Sequence, residues 1–157
     1  MPKAYRIVKA KLASGAFDGE GSRLEGGRWS SKGTRMVYAA GSTSLAILEV
    51  LVHLQQSAAL SGYVIFELEL PDRLIQDMDR ASLPPDWRVF PAPAATKEIG
   101  DRWIRDASSA VLRVPSVIVP PEYNFLINPA HGDFHALRIG APVALDVDRR
   151  LFRNERG

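Results

Sequence analysis

Arg28, Tyr38 and Glu49 are side chains of the types that act together on a charged substrate, and they fall within one short stretch of the chain. Arg28 sits in Gly26-Gly27-Arg28-Trp29-Ser30, where paired glycines let backbone approach a ligand closely. Its guanidinium fork can donate two parallel hydrogen bonds to a phosphate or carboxylate. The plainer role is a surface arginine stacked on Trp29. Tyr38, in the apolar run Met36-Val37-Tyr38-Ala39-Ala40, offers a ring platform for a planar group, or else a core phenol with its hydroxyl paired. Glu49 is the anomaly. It interrupts the apolar segment Ser44–Leu54, and burying an unpaired carboxylate is costly enough to demand a reason. That reason is either an ion pair, with Arg28 or Arg6, or chemistry. A cation, a phenol and a carboxylate from loop, strand and helix make one polar pocket in an apolar wall.

Other candidates are weaker on spacing alone. Ser116 follows Pro115 between two β-rich runs, where it can break a ladder and turn its hydroxyl inward. Asn124 and Asn128 have the residue type of loop-capping amides. His131 and His135 are four apart, but Gly132-Asp133 between them argues against a helix and against the glutamate-bearing zinc-protease string. No serine carries a nucleophile-elbow glycine pattern, and no P-loop string exists. Basic residues are dispersed apart from the tail cluster Arg149, Arg150, Arg153 and Arg156, which reads as a solvated end.

The positioning elements follow from periodicity. Ala4–Lys11 reads as a strand, and the glycine-rich Ser14–Gly27 as a loop. Ser42 or Thr43 caps a helix in which Leu45, Leu48 and Val52 recur at core spacing. Ser61-Gly62 marks a turn, and Tyr63–Leu70 alternates as a strand with Val64, Phe66, Leu68 and Leu70 inward. Asp72–Pro93 is irregular, and Thr96 is expected to cap a helix reaching Ser108 that Gly100 weakens. Ala110–Val114 and Val117–Val119 read as extended, Glu122–Pro129 as a loop, and Phe134–Val147 as two short strands. The pattern is α+β, with mixed small sheets and a few flanking helices, as one domain over residues 1–157.

Totals bound the class. A chain of 157 residues, 46% hydrophobic and 24% charged, can bury roughly two-thirds of its unfolded surface. Twenty basic against 18 acidic residues leave +2, little electrostatic footprint for nucleic acid. The absence of cysteine excludes disulfides, thiolate metal sites and a cysteine nucleophile. The start lacks a signal-peptide core and no apolar run reaches membrane-spanning length, so a cytoplasmic location is expected.

Gly26-Gly27-Arg28-Trp29-Ser30, Val37-Tyr38-Ala39, Ser44-Leu45-Ala46-Ile47-Leu48-Glu49, Val114-Pro115-Ser116, Asn124 and Ile127-Asn128-Pro129 together resemble the RES domain, from Tyr5-Arg6 to about Val147. That family is named for an arginine, a glutamate and a serine, which map to Arg28, Glu49 and Ser116; Ser30 stands where asparagine is expected more often. The resemblance implies a toxin of a type II toxin–antitoxin pair with an ADP-ribosyltransferase-like fold. It implies cleavage of the nicotinamide–ribose bond of NAD by hydrolysis or phosphorolysis, with ADP-ribosyl transfer to a protein as a further outcome. NAD is then substrate, with no other cofactor and no metal. By the same resemblance Glu49, Arg28 and Ser116 are catalytic, and Arg28, Tyr38, Ser116, Arg6 and Asn124 contact NAD. The implied partner is an Xre-like helix-turn-helix antitoxin that blocks the site; direct nucleic-acid or membrane binding is not expected, and a homodimer is compatible with the apolar excess. The rival readings are a non-catalytic nucleotide-binding module and a toxin acting on RNA.

Overall fold

The computed structural model describes residues 1–54 and 62–152. Ser61 of the expected turn, and Arg153 and Arg156 of the basic tail, lie outside the described residues. Among those described, the strands are β1 (Lys3–Lys9), β2 (Val37–Ala40), β3 (Tyr63–Glu69), β4 (Ile75–Asp77), β5 (Val111–Pro115), β6 (Tyr123–Ile127), β7 (Arg138–Ile139) and β8 (Val143–Ala144). The α-helices are α1 (Glu20–Glu25), α2 (Thr43–His53) and α3 (Ala94–Asp106). The α+β class holds, but the expected small sheets are one sheet, ordered β4-β5-β6-β2-β1-β3-β7 with β8 also on β3. Its pairings are antiparallel except β4 on β5. The strands at its ends have only two or three residues each, which limits unpaired edge.

Register decides what the sheet can place together, because directly opposed residues share a face. Tyr5 faces Ala40, Ala40 faces Asn124, Asn124 faces Val114, and Tyr38 faces Leu126. All of these therefore point to one side. There Leu45 and Ala46 of α2 pack with Tyr5, Ile7 and Ala40, and Trp103 of α3 packs with Met36, Leu112 and Leu126. The opposite side carries Ala4, Val37, Phe66, Leu68, Phe125 and Ile127 under Phe17, Leu74 and Leu137.

Several expectations change. Helix α2 is capped as expected, with the Ser42 hydroxyl accepting from Leu45 N at 3.1 Å. Its buried side is not Leu45-Leu48-Val52, however: Leu45 is buried while Leu48 is 40% and Val52 60% exposed. The helix is apolar nearly all round, so periodicity alone does not choose its face. Glu122–Pro129 contains β6, which lies inside the sheet and carries Asn124, and the irregular middle contains β4. Ser14–Gly27 contains α1. Val117–Val119 is a turn, not a strand. Thr96 lies inside α3 and donates to Pro93 O at 2.8 Å; the residue flanking the helix start is Pro93.

Candidate active site

Arg28 and Trp29 are the two central residues of a tight turn closed between Gly27 and Ser30, with Gly27 N donating to Ser30 O at 2.9 Å. The glycines are required by space. Gly26 ends α1 at φ +72°, and a Cβ on Gly27 would meet the Tyr38 hydroxyl at 2.5 Å. That hydroxyl accepts from Trp29 N at 3.1 Å and bonds the Ser30 hydroxyl at 2.6 Å, while Ser30 bonds Ser22 at 2.8 Å. Burial pushes the Tyr38 phenol up to about 12, against the pull of the Ser30 and Trp29 hydrogen bonds, so it stays protonated at neutral pH. From beneath, Asp101 of α3 accepts from Ser31 N at 3.0 Å. Trp29 itself is buried against Trp103 and Met36. The turn that presents Arg28 is therefore fixed on four sides.

Glu49 projects from half-buried α2 toward the same sheet face. Among the described residues it forms no ion pair, so the buried salt bridge weighed from sequence is not made. Neutral donors hold it instead. Asn124 Nδ2 donates to Glu49 Oε1 at 2.7 Å, and the Ser116 hydroxyl donates to the same oxygen at 3.4 Å, a weaker bond by its length. Ser116 is fully buried and its oxygen also accepts from Ile118 N and Val119 N, both at 3.1 Å, which fixes its position. Because the Asn124 amide nitrogen faces the carboxylate, its Oδ1 must face away, and among the described residues that buried oxygen has no partner. A buried acceptor without a donor costs about 1–3 kcal/mol.

Arg28 is tied to a segment within Asp72–Pro93, which reads from sequence only as irregular chain. Its Nη1 donates to the carbonyls of Trp87 and Val89, both at 2.9 Å, and Trp87 packs at 33° to Trp29 with ring centroids 6.2 Å apart. Burial lowers the Arg28 pKa and the nearby Glu49 carboxylate opposes that shift, which places the two opposite charges in the same field without contact. Cavities of about 520 Å³ (between β4 and α3, lined by Asp77, Ile99 and Trp103) and about 350 Å³ (beside Lys3 and Tyr123) include none of Arg28, Tyr38 or Glu49. The candidate site is thus defined by the groups that the sheet face and its two flanking helices bring together, with the Trp87–Val89 strap bonded to Arg28.

Arg6 is not brought to these groups. It lies on the opposite face of the sheet from Tyr38 and Asn124, where Nε donates to Ala16 O at 2.6 Å and Nη1 to Tyr38 O at 2.8 Å. Burial pulls its pKa down to about 10, still charged at neutral pH. Arg6→Ala is expected to lower unfolding free energy by about 3 kcal/mol in urea melts, since two carbonyls lose charge-assisted donors. An unchanged melt with weakened binding of a phosphate-bearing ligand would put Arg6 back in the site.

The RES domain family model matches residues 3–148. The chain is 42% identical to "Toxin Res" of Yersinia enterocolitica over 148 residues, covering 94% of this chain and 97% of that one. It is 40% identical to the "Prs ADP-ribosylating toxin" of Sphingobium sp. over 140 residues, 87% of each chain. Among solved structures, the M. tuberculosis MbcT–MbcA toxin–antitoxin complex contains a chain that matches with TM-score 0.72 at 18% identity, covering 92% of this chain and 84% of that one, a likeness of fold.

Proposed function

The chain belongs to the RES domain family, and from that premise we propose that it is a toxin enzyme that breaks the nicotinamide–ribose bond of NAD. The observation that carries this reading is a half-buried carboxylate held by an amide and a hydroxyl instead of a cation. A carboxylate neutralised by arginine would have little field left for a substrate. Held by neutral donors, Glu49 keeps its place without a cation bonded to it among the described residues. Nicotinamide leaves NAD as a neutral molecule, so no acid has to protonate it, and the ribose gains positive charge as in an oxocarbenium-like transition state. Glu49 stabilises that charge from its half-buried place on α2.

Ser116 and Asn124 orient Glu49. Arg28 holds the pyrophosphate by charge-assisted hydrogen bonds. Tyr38 fixes the Arg28 turn through its hydroxyl and presents the accessible part of its ring to the nicotinamide. Hydrolysis then gives nicotinamide and ADP-ribose; with inorganic phosphate as acceptor the product is ADP-ribose 1″-phosphate, and a protein side chain would retain the ADP-ribosyl group. The name of the Sphingobium relative supports transfer as one of these outcomes. A helix-turn-helix antitoxin covering Arg28 and Glu49 would silence all of them alike. No helix among the described residues is long and apolar enough to cross a membrane.

Incubating the purified protein with NAD and assaying free nicotinamide tests the reading. Stoichiometric release supports it. Cleaved RNA with NAD left intact would replace it with the RNA-directed alternative. Expression without a partner protein is expected to arrest growth as NAD falls.

A further inference from the structure

Most arginines with described partners lie against carboxylates: Arg23, Arg35, Arg102, Arg105, Arg113, Arg138 and Arg150. Their charge is locally cancelled. Arg28 and Arg88 differ, since the bonds they make are to backbone carbonyls, which orient a guanidinium without neutralising it. Arg6 and Arg80 also bond carbonyls, but Arg6 is on the far side of the sheet and Arg80 lies 5.5 Å over the Tyr123 ring.

Arg88 is placed by connectivity. The carbonyls on either side of it, Trp87 and Val89, both accept from Arg28. Arg88 itself donates from Nε to Val117 O at 3.1 Å. Val117 directly follows Ser116, whose hydroxyl reaches Glu49. The strap is therefore tied to the Arg28 turn by its carbonyls and to the segment after Ser116 by the Arg88 side chain. Anchoring through Nε leaves the Nη edge of the exposed guanidinium directed away from its own anchor, with much of its rotamer freedom already removed. The pyrophosphate of a dinucleotide carries a negative charge on each phosphate, and a single arginine whose Nη1 already serves two carbonyls matches only part of it.

We propose that Arg88 is a second cation of the dinucleotide site, sharing the pyrophosphate with Arg28 across the strap. This rests on the NAD reading above and extends it to a residue that none of the sequence motifs contains. Arg88 binds substrate; it takes no part in bond breaking.

The experiment uses the full chain carrying Glu49→Gln, so that ligand is not consumed, and isothermal titration with NAD and with nicotinamide riboside, which has the same reacting end and no phosphate. Adding Arg88→Gln is expected to weaken NAD about tenfold or more, the effect of losing one charge-assisted contact, and to leave nicotinamide riboside within twofold. Arg28→Gln should show the same asymmetry. Should Arg88→Gln fail to fold, Arg88→Lys serves: it keeps the charge and loses the fork and the Nε anchor, so NAD is expected to weaken about threefold with riboside unchanged. Equal weakening of both ligands would show that Arg88 only supports the Ser116 turn, and unchanged NAD binding would remove it from the site; either overturns the proposal. If the Glu49→Gln protein with Arg88 intact binds neither ligand, the NAD reading itself fails, a result the Arg88 comparison cannot produce.

Discussion

Glu49→Gln is expected to lower the rate of nicotinamide release at saturating NAD by about 10²–10³-fold while leaving the melting temperature nearly unchanged. The size is that of removing one preorganised electrostatic stabiliser from the reacting centre. Glutamine keeps the shape of the side chain, and its amide oxygen can still accept from Asn124 Nδ2, so the 2.7 Å contact that anchors the residue has a replacement. Only the charge facing the sugar is lost. Since that charge is needed most as the ribose becomes cationic, the loss should fall on kcat more than on KM. A folded Glu49→Gln protein retaining more than about a tenth of the wild-type rate would refute the role assigned to this carboxylate.

Gly100→Ala should destabilise the protein by about 3 kcal/mol or more and displace Arg28 as it does so. Judged by helix propensity alone the substitution in α3 ought to help, by about 1 kcal/mol. Space reverses the sign. A Cβ at Gly100 would sit 1.7 Å from Trp29 O and 2.8 Å from Trp29 C, backbone atoms of the very turn that carries Arg28. Either the helix or the turn must move, and the turn is also held by Asp101 one residue on. Gly21 in α1 is the internal control: nothing lies within 4 Å of its added Cβ, so Gly21→Ala should stabilise by about 0.5–1 kcal/mol. Urea melts of the two variants should move in opposite directions. Equal shifts would mean that the Gly100–Trp29 contact does not hold the turn.

Much of the site was legible because its members announce themselves locally. Arg28 between glycines and tryptophan, Glu49 in an apolar helix and Ser116 after Pro115 are each odd in their own neighbourhood, and oddness in sequence is visible without a fold. The capped start of α2 and the alternation of β3 were legible for a similar reason: a cap needs only residues three apart, and alternation only a single strand. Asn124 has the residue type of a loop amide, and only pairing with β2 and β5 makes its segment an inner strand. Arg88 and the strap stood among prolines that signal irregular chain, with nothing to say what the irregular chain lies against.

From the amino-acid order alone come the reactive groups, the helix and strand that bear Glu49 and Tyr38, and the resemblance to the RES domain. Tertiary structure decided which of those groups meet: it brought Asn124 to Glu49 across 75 positions and Arg28 to Val89 across 61, and it set Arg6 on the far side of the sheet. The physical reason is that a side chain's identity and its local periodicity are properties of neighbours in sequence, whereas the side of a sheet and the filling of a glycine's missing Cβ depend on register between segments far apart in the chain.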